Sequence, residues 1–336
     1  MRPRRPGPRL HLPALLVCAA LLAVAAAVAS PAQARGERAG RAAPLRGAWV
    51  AYAVRPAIRL VRLDGTGDHL LVPKVSGDQE HPDWSPDGSK IVFQLDFTSL
   101  WVVGADGSHP HAVYRCRGRC HSVQDAAWSP DGRTIAFAAT ATTVPGGSTL
   151  ARSSIMALDV ASGGVRTIMT TPRANEIPYS PRWSPDGRRL VAEVDAFTDA
   201  GADTVATTGA WIAVVPARGG GRARAITSRT GRAGEPDWGR RGIVYTVGRE
   251  FTASEMNAIL IQPDGSGRRA ITHMHLPAER ALQAVWTPDG NRLIFTYVRQ
   301  GDWSRPTYAL IRADGTHLTV GRTSIPITHP RLRPLR

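Results

Sequence analysis

Residues 83–93 read DWSPDGSKIVF, and the chain repeats that phrase. It returns as AWSPDGRTIAF from Ala127, RWSPDGRRLVA from Arg182, DWGRRGIVYTV from Asp237 and VWTPDGNRLIF from Val285. Trp84, Trp128, Trp183, Trp238 and Trp286 stand 44, 55, 55 and 48 residues apart. Repeats of that length are the mark of propellers and related arrays. The S-P-D-G step is a tight turn. Proline presets φ at its second position, and glycine takes the positive φ that lets the chain re-enter a strand.

Each repeat reads as four strands. The first ends at the Trp, and the second is the apolar run after the turn, as at 90–94 and 292–297. A third follows at 100–103, 154–158, 210–215, 258–261 and 307–311. A second turn, often Asp-Gly, comes at Asp106-Gly107, Asp264-Gly265 and Asp314-Gly315, before a short fourth strand. Residues 47–72 hold three such strands and an Asp64-Gly65 turn, but no opening WSPDG strand. The end of the chain, THPRLRP from Thr328, matches EHPDWSP from Glu80 and puts Leu332 at the Trp position. The expectation is therefore an all-β, six-bladed β-propeller over 47–336, its first blade closed by the C-terminal strand. Closure of that kind leaves no free sheet edge.

Composition agrees. The 336 residues are 43% hydrophobic and 21% charged, which excludes a disordered chain or a coiled coil. With 33 Gly and 26 Pro the chain favours turns and short strands over long helices. Three cysteines exclude a disulfide-dense scaffold.

The N-terminus reads as a signal peptide over 1–34. Arg2, Arg4, Arg5 and Arg9 precede an uncharged stretch, 10–34, that closes on Ala32-Gln33-Ala34. Basic, apolar and small-residue regions in that order form an export signal. A retained Ala-rich anchor is the alternative. Residues 35–46 are a linker. The expected location is secreted, periplasmic or cell envelope, with no membrane span after cleavage. The formal charge of +15 falls to +11 once those four arginines leave. All the basic residues but Lys74 and Lys90 are arginine, and they are scattered along the sequence rather than clustered on one element. That excludes a nucleic-acid partner, and affinity for acidic envelope polymers stays open.

The four-to-one and two-to-three connections of a blade emerge on one face, here the loop face. The WSPDG and Asp-Gly turns emerge on the other, the turn face. The loop face carries long Thr/Ala/Gly/Ser-rich insertions at 139–153 and 195–209, and shorter ones at 248–257 and 299–306. Function borne on loops belongs there. Three residues before each Trp position stand His81, Asp125, Ser180, Glu235, Gln283 and His329. On the innermost strands these six surround the mouth of the central channel. They form either a ligand or metal cup or a hydrated polar rim, and no metal site is assigned. A cation held there would be structural rather than catalytic.

Trp303 and Arg305 are of the types that anchor interfaces. Trp303 either anchors a partner or folds back onto its own blade. Cys116 and Cys120, in CRGRC, read as a local disulfide in an exported protein. A zinc site with His109, His111 or His121 is the lesser alternative. The repeat tryptophans are core.

The WSPDG repeats resemble the TolB-type propeller repeat over nearly the whole of 47–336. The resemblance implies six blades and a binding or scaffold protein. TolB proper carries an α/β domain ahead of its propeller, where this sequence has only 35–46. Prolyl oligopeptidase-type enzymes carry similar repeats joined to a hydrolase domain, but this sequence has no G-x-S-x-G nucleophile turn. It also lacks HExxH, a P-loop, an EF-hand loop and CxxC pairs. Two functions follow as expectations. The first is an exported monomeric scaffold, without cofactor, engaging a protein or envelope component through the loop face. The second is an envelope lyase or hydrolase at the channel mouth, with His81, His329, Asp125 and Glu235.

Overall fold

The computed structural model describes residues 48–141, 152–173, 175–201, 204–248, 256–275, 279–299, 302, 304–321 and 326–334. Its strands form six antiparallel sheets of four, each ordered one to four outward from the channel. The inner strands of blades 2 to 6 are Gln79–Trp84, Cys120–Trp128, Glu176–Trp183, Ala233–Gly239 and Glu279–Trp286. Blade 1 takes its inner strand, Thr328–Leu332, from the far end of the chain. That strand pairs with Trp49–Val54 through Val50 to Leu332 and Ala51 to Arg331. Six blades and tail closure are thus as the repeat implied. Among the described residues no helix is long and apolar enough to cross a membrane.

Each blade is apolar on both faces because it has a neighbour on both sides. Six buried clusters result, each built from two adjacent blades. Trp84, Ile91 and Phe93 of blade 2 pack against Ala51, Ile58 and Leu60 of blade 1. Leu332, Val50 and Tyr52 of blade 1 pack against Val285, Ile294 and Tyr308 of blade 6. The repeat tryptophans are buried, and three indoles also bond the blade before. Trp84 Nε1 donates to Arg331 O at 3.0 Å and Trp183 Nε1 to Ala127 O at 3.1 Å. Trp286 Nε1 donates to Gly242 O at 3.1 Å. Blade 5 replaces S-P-D-G by a shorter turn, Gly239-Arg240-Arg241-Gly242, whose first position has no room for a side chain. A Cβ on Gly239 would lie 2.5 Å from Trp286 Cγ.

The turn itself is a side-chain device. Ser129 Oγ donates to Asp131 Oδ1 at 2.6 Å, and Asp131 Oδ1 accepts the Arg133 N–H at 3.0 Å. Ser129 Oγ in turn accepts the Thr134 N–H at 2.9 Å. Ser184/Asp186 and Thr287/Asp289 repeat the pattern. Such hydrogen bonds hold these aspartates below the ordinary carboxylate pKa.

One expectation is corrected. Residues 195–209 are not a loop. The second and third strands of blade 4 run on as Arg189–Gly201 and Thr204–Pro216, paired out to Gly201 and Thr204. Two bulges in that pairing absorb the irregular spacing. Thr and Val there suit an extended ladder; their small, polar composition reads as loop only when pairing is ignored. The hairpin rises from the loop face.

Candidate functional site

The six candidate mouth residues share one backbone defect. The register of each inner strand slips just at that position, as between Glu80 and Asp83 or between Gln124 and Ala127. The residue at the slip lies in the left-handed region: φ runs from 47° to 56° across His81, Asp125, Ser180, Glu235, Gln283 and His329. A bulge at the same place in every blade turns the side chain toward its neighbour around the ring. Non-glycine residues held there cost about 1–3 kcal/mol each unless the surroundings compensate.

The compensation is a chain of hydrogen bonds from blade to blade. The Ser180 N–H donates to Asp125 Oδ2 at 3.1 Å. The Gln283 N–H donates to Glu235 Oε2 at 2.9 Å, and the His329 N–H to Gln283 Oε1 at 2.8 Å. Where the preceding mouth residue carries no acceptor that serves, the second strand supplies one. Gln94 Oε1 accepts the Asp125 N–H at 3.1 Å, and Glu193 Oε2 the Glu235 N–H at 2.7 Å. Asp125, Glu235 and Gln283 thus fix the strained backbone of the next blade, and Gln94 and Glu193 do so for two more. This clasp is a structural role that the sequence does not advertise.

Charge is arranged around it. His81 Nδ1 bonds Asp125 Oδ1, and the His81 and His329 rings stack with centroids 4.0 Å apart. Burial alone would lower the His81 pKa, but the Asp125 charge and hydrogen bond outweigh it, and the net shift is upward. Burial likewise opposes ionisation of Asp125, yet the His81 charge and hydrogen bond hold its carboxyl well below the usual range. Burial pushes His329 well below an ordinary imidazole, and the charge of His81 adds to that. Gln283 Oε1 is taken by the His329 N–H and the Thr296 hydroxyl, so its amide nitrogen donates to His329 Nε2 at 2.7 Å. His329 is therefore neutral, with its proton on Nδ1.

Beneath the mouth lies a second ring that sequence reasoning passed over. The residue before each Trp position is Asp83, Ala127, Arg182, Asp237, Val285 and, on the tail, Arg331. Arg331 Nε lies 3.7 Å from Asp83 Oδ1, and Arg182 Nε lies 4.0 Å from Asp237 Oδ1, on opposite sides of the channel. Asp83 Oδ2 accepts the Trp128 N–H, and Asp237 Oδ2 the Trp286 N–H, at 2.9 and 2.8 Å. Burial lowers the Arg331 pKa to about 10. The same burial raises that of Asp83 against the pull of Arg182 and Arg331. Alternation of charge at the position before Trp was the available signal. Among the described residues no group of three or more His, Cys, Asp or Glu is placed to hold a metal ion.

On the loop face, Cys116 and Cys120 are bonded, Cα to Cα 5.0 Å, on the connection from blade 2 to blade 3. A loop this small restrains little unfolded-chain entropy. Reduction is expected to cost about 1–2 kcal/mol, read by denaturant unfolding with and without reductant. Intact mass after alkylation of the folded protein should show both thiols protected. Arg305 is exposed beside Asp302. Trp303, the signal segment 1–34 and the linker 35–46 lie outside the described residues.

No protein-family model and no curated protein sequence matches the chain. Solved structures do. TolB from Acinetobacter baumannii superposes with a TM-score of 0.60 at 15% identity, over 86% of this chain and 67% of that one. A TolB homologue from Agrobacterium tumefaciens gives 0.59 at 19% identity, over 86% and 99%. An oligogalacturonate lyase in complex with manganese gives 0.50 at 17% identity, over 70% and 63%. At these identities the likeness is one of fold, and the fold of this chain is the TolB-type six-bladed β-propeller.

Proposed function

We propose that this protein is an exported β-propeller scaffold that engages a protein or cell-envelope component through its loop face. One observation carries the reading. The extended blade 4 hairpin and the polar channel mouth share a face, while tight turns close the other. Asp125, Glu235 and Gln283 already hold neighbouring backbone, which suits a rigid recognition surface better than a reacting group. Signal-like residues 1–34 support export.

The test is capture of a partner from envelope extract. Cutting the blade 4 hairpin back to an Asn-Gly turn between Phe197 and Thr207, which pair, should weaken capture tenfold or more. The melting temperature should hardly change, because the hairpin tip lies outside the inter-blade core. Asp87→Ala and Asp131→Ala, in the turns of the opposite face, should do the reverse: about 1–2 kcal/mol of stability lost through broken turn bonds, capture intact. Unchanged capture with the shortened hairpin refutes the loop-face reading.

A second reading, an envelope lyase or hydrolase at the mouth, has the Asp125–His81 pair in its favour. It predicts a stoichiometric cation in the purified protein that His81→Ala removes, and activity abolished by His81→Ala and by His329→Ala.

A further inference from the structure

We infer that the turn face of blades 4 and 5 is a docking surface for an anionic phospholipid bilayer. Arg188, Arg189, Arg218, Arg222 and Arg224 are exposed in the turns of blade 4. Arg240, Arg241, Arg268 and Arg269 are exposed in those of blade 5. Asp186 and Asp264 are the acids of the same turns, which leaves a surplus of seven positive charges. A composition rich in arginine does not explain this, because the excess is local. The matching turns of blades 2 and 3 carry Lys90, Arg133 and Arg166 against Asp87, Asp106, Asp131 and Asp159.

The charge is not neutralised within the protein. Among the described residues none of these arginines forms an ion pair. Those with fixed partners bond uncharged groups, three of them across a blade seam. Arg224 Nη1 donates to Asp264 O at 3.0 Å, and Arg269 Nη2 to Ala313 O at 2.6 Å. Arg241 Nε donates to Gly290 O, and Arg268 Nε to the Tyr245 hydroxyl. Asp186 and Asp264 are exposed, and each accepts a hydroxyl hydrogen bond within its own turn, from Ser184 and Ser266. Arg224, Arg241, Arg268 and Arg269 are therefore held in place, and the surplus of positive charge stays on the exposed face.

Shape selects the partner. Every connection in this sector is a tight turn, and the depression between Arg189 and Gln262 is shallow, about 350 Å³. A flat, wide basic surface matches a plane of headgroups better than a polymer that needs a groove. The chain also approaches blade 1 from this face. Trp49 opens the second strand there, and Arg333, just past the inner strand, bonds Gly88 O in the neighbouring turn at 2.8 Å. Docked this way, the protein presents its hairpin and channel mouth outward, a geometry that stands whatever the partner of the loop face.

The experiment is vesicle co-sedimentation of the exported full-length protein. Vesicles of phosphatidylglycerol with phosphatidylcholine are compared with pure phosphatidylcholine at about 0.1 M salt. Binding to the anionic vesicles should be at least tenfold tighter and should fall at least tenfold at about 0.5 M salt. The combined variant Arg188→Ser, Arg218→Ser, Arg222→Ser, Arg240→Ser should lose at least tenfold in binding. A second variant of equal net charge, Arg115→Ser, Arg117→Ser, Arg119→Ser, Arg173→Ser on the loop face, should lose less than about twofold. Both should melt like the parent. Equal losses from the two variants, or equal binding to neutral vesicles, overturns the proposal. So does a tighter grip on soluble polyphosphate than on vesicles at equal phosphate.

Discussion

Deleting residues 328–336 should leave a protein that does not hold the native fold. The inner strand of blade 1 would be gone, and with it the ladder partners of Val50, Ala51 and Ala53. Trp84 would lose the Arg331 carbonyl, and the cluster shared with blade 6 would lose Leu332. Arg331 would no longer face Asp83, a partly buried carboxylate left with Arg182 as its nearby cation. Removing one partner of a fully buried pair costs about 3–5 kcal/mol, an upper bound here, and the lost strand and cluster contacts add to it. That already approaches the net stability of a typical domain, about 5–15 kcal/mol. An exposed edge on Trp49–Val54, apolar on both sides, would then template aggregation. Denaturant unfolding and light scattering check the outcome, and a truncated protein with the parent's midpoint would place ring closure elsewhere. Adding the tail back as a peptide should restore the transition, since the strand acts by pairing.

Much of this was legible because propeller geometry is periodic. Once Trp84 and its equivalents are aligned, counting back three residues finds His81 and its ring, and the match of 328–334 to 80–86 finds the closure. Three things were hidden. Nothing in a His, Glu or Gln announces positive φ, since these residues seldom adopt it; only the ladder slip imposes it. The clasp between blades depends on acceptors such as Gln94 and Glu193, which in sequence are ordinary members of an apolar strand. Arg182 and Arg331 were masked by the abundance of arginine elsewhere, although they reach into the channel against Asp237 and Asp83. The blade 4 hairpin was missed for another reason: Thr- and Ala-rich sequence is loop or ladder according to what lies across from it.

Asp125→Ala should be the most damaging single change at the channel mouth. Asp125 is 5% exposed, and its two oxygens serve His81 on one side and the N–H and hydroxyl of Ser180 on the other. Truncation strands the partly buried His81 ring and the N–H of a residue with positive φ, for an expected loss of up to about 3–5 kcal/mol. Asp125→Asn keeps an acceptor for Ser180 and separates charge from clasp, and its signature is in the pH dependence. His81 has a raised pKa in the folded state, so its contribution is complete below about 6.5 and fades as pH rises through the folded value. His329 has a depressed pKa, so its contribution is complete above about 6.5 and fades as pH falls. Together they give a stability maximum near pH 6.5, with an alkaline limb from His81 and an acid limb from His329. In Asp125→Asn the alkaline limb should flatten, because the charge and hydrogen bond that chiefly hold the proton on His81 are gone and only the weaker pull of Glu80 remains. The acid limb should persist, because burial is the main cause of the His329 shift. His329→Gln should do the opposite. Urea unfolding from pH 5 to 8 on the three proteins reads both limbs, and an Asp125→Asn profile parallel to the parent's would show that Asp125 does not set the charge of His81.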